Sequence, residues 1–341
     1  MLRWMVSLVL VTTVVVPGIL RAQATSDPNV PRVFSLAIEP SRLDPAQKSL
    51  SLMPKAEELT KGNAASFYSK AVEAMPADFD MNPVWDWRNM PLRNLPQGQV
   101  QAVLEQVKAS LDMMSQGARC KSCTWPRFAS GEVPDGAAAY RQLACLLCIK
   151  ARLEIAQGQD EKSLDTIRSG LAASKHVGEA PSIILGLVGV AMADLMLLAI
   201  QDLSQVRGTP NLYPAIHSLP RPLVDMEVSI SSDHPPWLVR VRMKRELEES
   251  YEKTRILMRR LDANVAALEC IEALRHFAAG HDGQLPAQLS GILDLQIPND
   301  PATARPFAYR VEGSKAVLET SIPKGGDSRH SARYEITVAH W

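Results

Sequence analysis

The sequence predicts a mainly α protein: a multi-helix body, followed by a small C-terminal α+β module in which a long helix packs on an antiparallel sheet. Three observations predict it. Residues 136–200 run with helical periodicity broken only at Gly158-Gln159-Asp160 and again over 178–181, which divides them into three consecutive helices. Residues 238–279 carry the longest helical pattern, with Leu247, Tyr251, Thr254, Met258, Leu261, Val265 and Leu268 at alternating spacings of four and three, the seam of a helix packed lengthwise against others. Beyond Gly280 the period changes to the two-residue alternation of strands. Composition agrees: 341 residues, 46% hydrophobic and 22% charged, are globular values, and 5% aromatic content suits helices packed by aliphatic side chains. The 37 basic and 37 acidic residues cancel, so no long-range field draws the chain to nucleic acid or to an anionic membrane.

In order along the chain, residues 1–24 read as an export signal. Arg3 supplies the positive region, residues 4–16 the apolar core, Pro17-Gly18 the break, and Ala22-Gln23-Ala24 the cleavage site. A periplasmic or secreted mature chain starting at Thr25 follows; the alternative is an anchor formed by residues 4–20, an apolar run shorter than the roughly 20 residues of a membrane span. Residues 25–55, rich in Pro, Ser and Asp, predict an extended arm on the surface. The helical body spans 56–236. Asn63 is placed to cap a helix over 62–75, residues 78–96 predict a loop carrying Trp85 and Trp87, and Val103, Val107, Leu111 and Met114 predict a helix over 100–115. After a loop over 117–135 comes a hairpin over 137–174, turning at Gly158, that is tetratricopeptide-like; one unit makes no repeat array. Residues 182–200 are the most apolar internal segment, yet Asp194 lies inside them and no basic excess flanks them, which predicts a buried helix. A Pro-rich stretch over 206–236 leads to the long bridging helix, 237–279. The last unit, 280–341, carries candidate strands at 307–311, 316–322 and 333–339, the first two joined at Glu312-Gly313-Ser314.

The segments GNAASFY after ELTK, MPLRNLP, Cys123-x-Trp125, the helix pair turning at Gly158 and the apolar 182–200 helix resemble a family of uncharacterised exported bacterial helical proteins. The C-terminal part, with Gly283-x-x-Pro286-x-x-Leu289, Pro298-x-Asp300-Pro301 and Pro306-Phe307-x-Tyr309, is similar to the globular end of type II secretion pseudopilins. That resemblance implies a long helix on a three-stranded antiparallel sheet. The helix is internal here, whereas pseudopilins carry it at their processed amino terminus.

Among candidate sites, Cys120-x-x-Cys123 and Cys145-x-x-Cys148 approximate the spacing of a four-thiolate zinc centre. Cys145 and Cys148 fall mid-helix, where cysteine reads as a small buried hydrophobe, and a loop-to-helix disulfide is the third reading. Cys270 reads as buried in the long helix. Asp78-x-Asp80-x-Asn82 opens like a calcium loop but places Pro83 where glycine is required. His276 and His281, with Asp282, flank the end of the long helix, as metal ligands, as an acid and base, or as cations at its negative end. No nucleophile elbow, zincin motif or phosphate loop occurs. The expectation is an exported scaffold or protein-interaction protein with a protein partner, no nucleic-acid partner and no cofactor. An exported hydrolase with a dispersed site and a membrane-tethered component of an envelope or secretion assembly are the alternatives.

Overall fold

The computed structural model describes residues 29–45, 49–235 and 237–339; the predicted export signal and the first residues of the predicted arm lie outside them. Strand β1 (Arg32–Ile38) opens the described chain. A short strand β2 (Thr60–Asn63) runs into α1 (Ala64–Glu73), where the Asn63 side chain accepts from the Ala65 N–H. Helix α2 (Asn82–Asn89) occupies the region predicted as a loop. A distant partner for its carboxyl end explains the difference: the Arg152 guanidinium, from a helix more than sixty residues on, donates to the carbonyls of Trp87, Arg88 and Met90 at 2.5, 2.9 and 2.5 Å. The predicted 100–115 helix is two, α3 (Gln97–Gln106) and α4 (Lys108–Ala118), divided at Val107. Strand β3 (Cys120–Ser122) then pairs in parallel with β2.

The centre is α5 (Ala137–Ala156), α6 (Asp160–Gly178) and α7 (Ile183–Leu203). Helix α5 is apolar nearly all round and is enclosed by α2, α3, α6 and α7. Gly158, at φ 67°, makes the reversal between α5 and α6. The Ser182 side chain caps α7, accepting from Leu185 N–H. Among the described residues α7 is the one helix long and apolar enough to cross a membrane; here it packs against α5, α6 and the later helices α9 (Met226–Ser232) and α11 (Lys244–Gly280). Two more short helices, α8 (Tyr213–His217) and α10 (Trp237–Arg242), complete the set, α10 meeting α11 at Met243.

The strands predicted near the carboxyl end form as β4 (Ala308–Glu312), β5 (Lys315–Glu319) and β6 (Ala332–Val338), antiparallel throughout, with Gly313 at φ 63° in the hairpin. The sheet has a fourth member. Its order is β1-β6-β5-β4, and β1 lies parallel to β6 with Arg32 opposite Ala332. The arm expected on the surface over 25–55 thus contributes an edge strand, with Leu36 and Ile38 buried. The protein is mainly α with a small α+β end, and one hydrophobic cluster runs through Ile38, Leu318, Tyr334 and Ile336 of the sheet, Leu261, Val265 and Leu268 of α11, and the helices of the body.

Candidate functional site

Residues 237–253 bring together three of the exposed large hydrophobic side chains found among the described residues. Trp237, Leu238 and Val241 are 66, 59 and 59% exposed, and the first buried residue of α11 is Thr254. The α11 part of this arm, 244–253, extends about 15 Å at 1.5 Å per residue, with α10 turning off it at Met243. It is fixed at its base, where the Tyr251 hydroxyl donates to Asp233 at 2.9 Å and Arg255 pairs with Glu227 at 2.6 Å. Its charge is divided lengthwise: Arg240, Arg242, Lys244 and Arg245 precede Glu246, Glu248, Glu249 and Glu252. Arg245–Glu249 at 2.9 Å is satisfied within the helix, a pair of small energetic weight.

A second cluster is polar and enclosed. Asp194, inside apolar α7, receives Arg260 of α11 on Oδ2, Asn264 one turn later on Oδ1 at 3.3 Å, and Arg32 of β1 at 3.9 Å. Tyr334 of β6 adjoins it, stacked on Phe34 at 5.1 Å. Burial pushes the Tyr334 hydroxyl well above its usual value, so it stays protonated, and burial with the neighbouring Arg260 lowers Arg32. Sequence reasoning used Asp194 only to argue for a buried helix over a membrane span, and it missed Arg32, Arg260, Asn264 and Tyr334 as its surroundings. One signal was legible: a carboxylate within an apolar helix needs a cation, and Arg260 and Asn264 stand four apart on one face of α11.

The structure divides the predicted cysteine set. Cys120 lies against α1 and α4, its thiol donating to the Gln116 carbonyl at 3.6 Å, and Cys123 reaches the His176 carbonyl at 3.8 Å. Beside them, the Tyr68 hydroxyl meets His176 Nδ1 at 2.7 Å and the Trp125 indole donates to the His176 carbonyl at 2.9 Å. Cys145 and Cys148 are fully buried on α5 in the neighbourhood of Arg88 and Arg152. All five cysteines are free thiols. Burial raises them, Cys123 and Cys148 to about 12, and a protonated thiol is a poor ligand and nucleophile. No group of three His, Cys, Asp or Glu side chains among the described residues is placed to hold a metal, so the four cysteines read as a zinc candidate do not converge.

The other candidates resolve into local structure. Asp80 accepts from the Asn82 N–H at 2.9 Å and starts α2. His276 bridges segments, accepting from Leu43 N–H on Nδ1 at 3.1 Å and meeting Asp294 through Nε2 at 2.6 Å, whereas His281 turns back to stack on Phe277 at 3.7 Å. Asp300 of the Pro298-x-Asp300-Pro301 motif accepts from Ala302 and Ser321 N–H groups at 2.8 and 2.6 Å, joining the turn to the end of β5. No protein-family model matches the chain, and no curated protein or solved structure matches it significantly.

Proposed function

We propose that the chain is an exported scaffold that couples two copies of itself through the helical arm 237–253. The observation that carries this reading is the exposure of Trp237, Leu238 and Val241 on an arm with a basic first half and an acidic second half. Such an arm is self-complementary. Laid antiparallel about a two-fold axis, Arg240 and Arg242 of one copy face the Glu248 to Glu252 region of the other, and the apolar residues are covered at the same time. The acidic half favours a protein over an anionic membrane, which would repel it. Export rests on Arg3, the apolar run 4–16 and Ala22-Gln23-Ala24, and is checked by a mature chain beginning at Thr25; retention of residues 4–20 would assign the tethered alternative. Kinship of the carboxyl unit with pseudopilin globular ends is proposed on the quoted motifs alone.

Sedimentation equilibrium on the full-length exported protein tests the coupling. The expected result is a concentration-dependent dimer that Trp237→Ser with Val241→Ser converts to monomer, with the melting temperature of the monomer unchanged. A monomer at every concentration overturns the proposal, and co-sedimentation of that monomer with phosphatidylglycerol vesicles would reassign the arm to a lipid surface.

A further inference from the structure

The cluster at Asp194 holds more hydrogen-bonding capacity than its members use. Arg32 Nε and Nη2, Arg260 Nε, Asn264 Oδ1 and the Tyr334 hydroxyl are all buried without a partner among the described residues. Natural interiors leave few such atoms, and four unused donors at one place, Arg32 Nε and Nη2, Arg260 Nε and the Tyr334 hydroxyl, are a concentration that calls for an occupant. Two details say which. Nε and Nη2 share one edge of the guanidinium, the edge whose two parallel N–H groups match two oxygens of an oxyanion. In Arg32 that whole edge is idle, because only Nη1 faces Asp194. The charges also fail to balance, since Arg32 and Arg260 surround a single carboxylate and leave one positive charge over.

We propose that Arg32, Arg260 and Tyr334 form a binding site for one phosphate group, free or carried as a phosphomonoester. The Arg32 edge takes two of its oxygens, and Arg260 Nε and the Tyr334 hydroxyl donate to what remains; Asp194 holds both guanidinium groups in place. Burial and the neighbouring Arg260 disfavour the charged form of Arg32, and an anion beside it opposes both effects. The unpartnered nitrogens are themselves buried, so an anion reaches them by a swing of the Arg32 side chain at the margin of the molecule. The side chains of Arg32, Asp194 and Arg260 are 19, 20 and 18% exposed, so the cluster sits at the margin of the molecule where β1 begins, with Tyr334 as its fully buried floor. The site joins four elements, β1, β6, α7 and α11, so its occupant would also fasten the amino-terminal strand to the body. It is distinct from the arm 237–253 and does not depend on self-association.

Calorimetric titration of the full-length protein with inorganic phosphate, with chloride at matched ionic strength as the reference, reads the site directly. The expected result is saturable binding of one phosphate per chain, weakened tenfold or more in Arg32→Gln and at least threefold in Tyr334→Phe. Tyr334→Phe removes only a hydroxyl that has no partner, so it keeps the fold intact if Arg32→Gln does not. Glycerol 3-phosphate as a second probe assigns a phosphomonoester if it binds as tightly as inorganic phosphate, and a free anion if it is excluded. Absence of saturable binding, or equal binding by wild type and Tyr334→Phe, overturns the proposal. So does a Tyr334→Phe variant that is less stable than wild type without phosphate, because the hydroxyl would then be held by water.

Discussion

Arg275 shows how a single side chain can tie distant segments. It has no solvent exposure, and its charge is matched by Glu272 at 2.8 Å, while it donates to the Glu39 carbonyl at 2.8 Å and to Thr209 Oγ1 at 3.0 Å. Arg275→Met would leave Glu272 buried without its cation, at a cost of about 3–5 kcal/mol. Urea denaturation is expected to show that loss, with part of it recovered when Glu272→Gln is added. Two other groups contribute opposing terms to the response to pH. His176 is lowered to about 4 by burial and secondarily by Lys175. Its folded value lies below the unfolded 6.5, so the stability it contributes is complete above 6.5 and lost as pH falls toward 4. Asp262 is raised to about 6 by burial, against the Leu223 N–H that lowers it, so its contribution is complete below 3.8 and lost as pH rises through 6. The two slopes oppose each other between pH 4 and 6. His176→Gln should therefore expose the Asp262 slope, falling in stability from pH 4 to 6.5, and a variant profile parallel to wild type would contradict the assignment. The sequence made Asp194 legible as a charge inside an apolar helix, which pointed to burial in protein but not to the partners it meets. It could not show that Cys120 faces α1 and α4 and Cys123 the His176 carbonyl of α6, while Cys145 and Cys148 face Arg88 and Arg152, because spacing along a chain carries no information about which neighbour each thiol meets.

At the scale of elements, α5 to α7 were legible because their periodicity and breaks are local properties of the chain. Helix α2 was not, because the groups that satisfy its last carbonyls belong to Arg152. Strand β1 was not, because its partner is the last strand of the sheet rather than a neighbour in sequence. The crossing of α6 and α7 depends on two glycines in backbone contact: a Cβ on Gly189 would stand 2.3 Å from Gly178 Cα and 2.6 Å from the Ser174 carbonyl oxygen. Neither neighbour can move without separating the helices, so Gly189→Ala is expected to lower stability by about 3 kcal/mol. Gly170 provides the contrast. A Cβ there meets the thioether of Met196, 2.0 Å away but on a flexible side chain. Gly170→Ala should cost about 1 kcal/mol or less, because alanine's better helix propensity offsets part of the repacking. Thermal denaturation of the two variants distinguishes a backbone contact from a side-chain contact; equal losses would refute the distinction.

For the whole molecule, the body and the sheet share one core, and the sheet draws on both ends of the described chain. Deleting residues 29–38 removes Leu36 and Ile38 from that core, a loss of about 3–6 kcal/mol at 1.5–3 kcal/mol for each buried side chain. Denaturant titration should show the deletion variant correspondingly weakened, and a midpoint equal to wild type would mean that the sheet does not need β1. The pairing of β1 with β6 also fixes an order of events. Thr337 Oγ1 donates to the Leu36 carbonyl across 301 positions. A chain made from its amino terminus holds β1 in waiting until the residues through β6 have been synthesised. Contacts of short sequence separation close first, so the β4–β5–β6 meander forms on α11 and β1 is added afterwards as the final strand. Until it arrives, β6 is an open edge, able to accept any extended segment that passes. In refolding from denaturant the last phase to complete should accordingly be the one that reports Phe34 coming to rest on Tyr334.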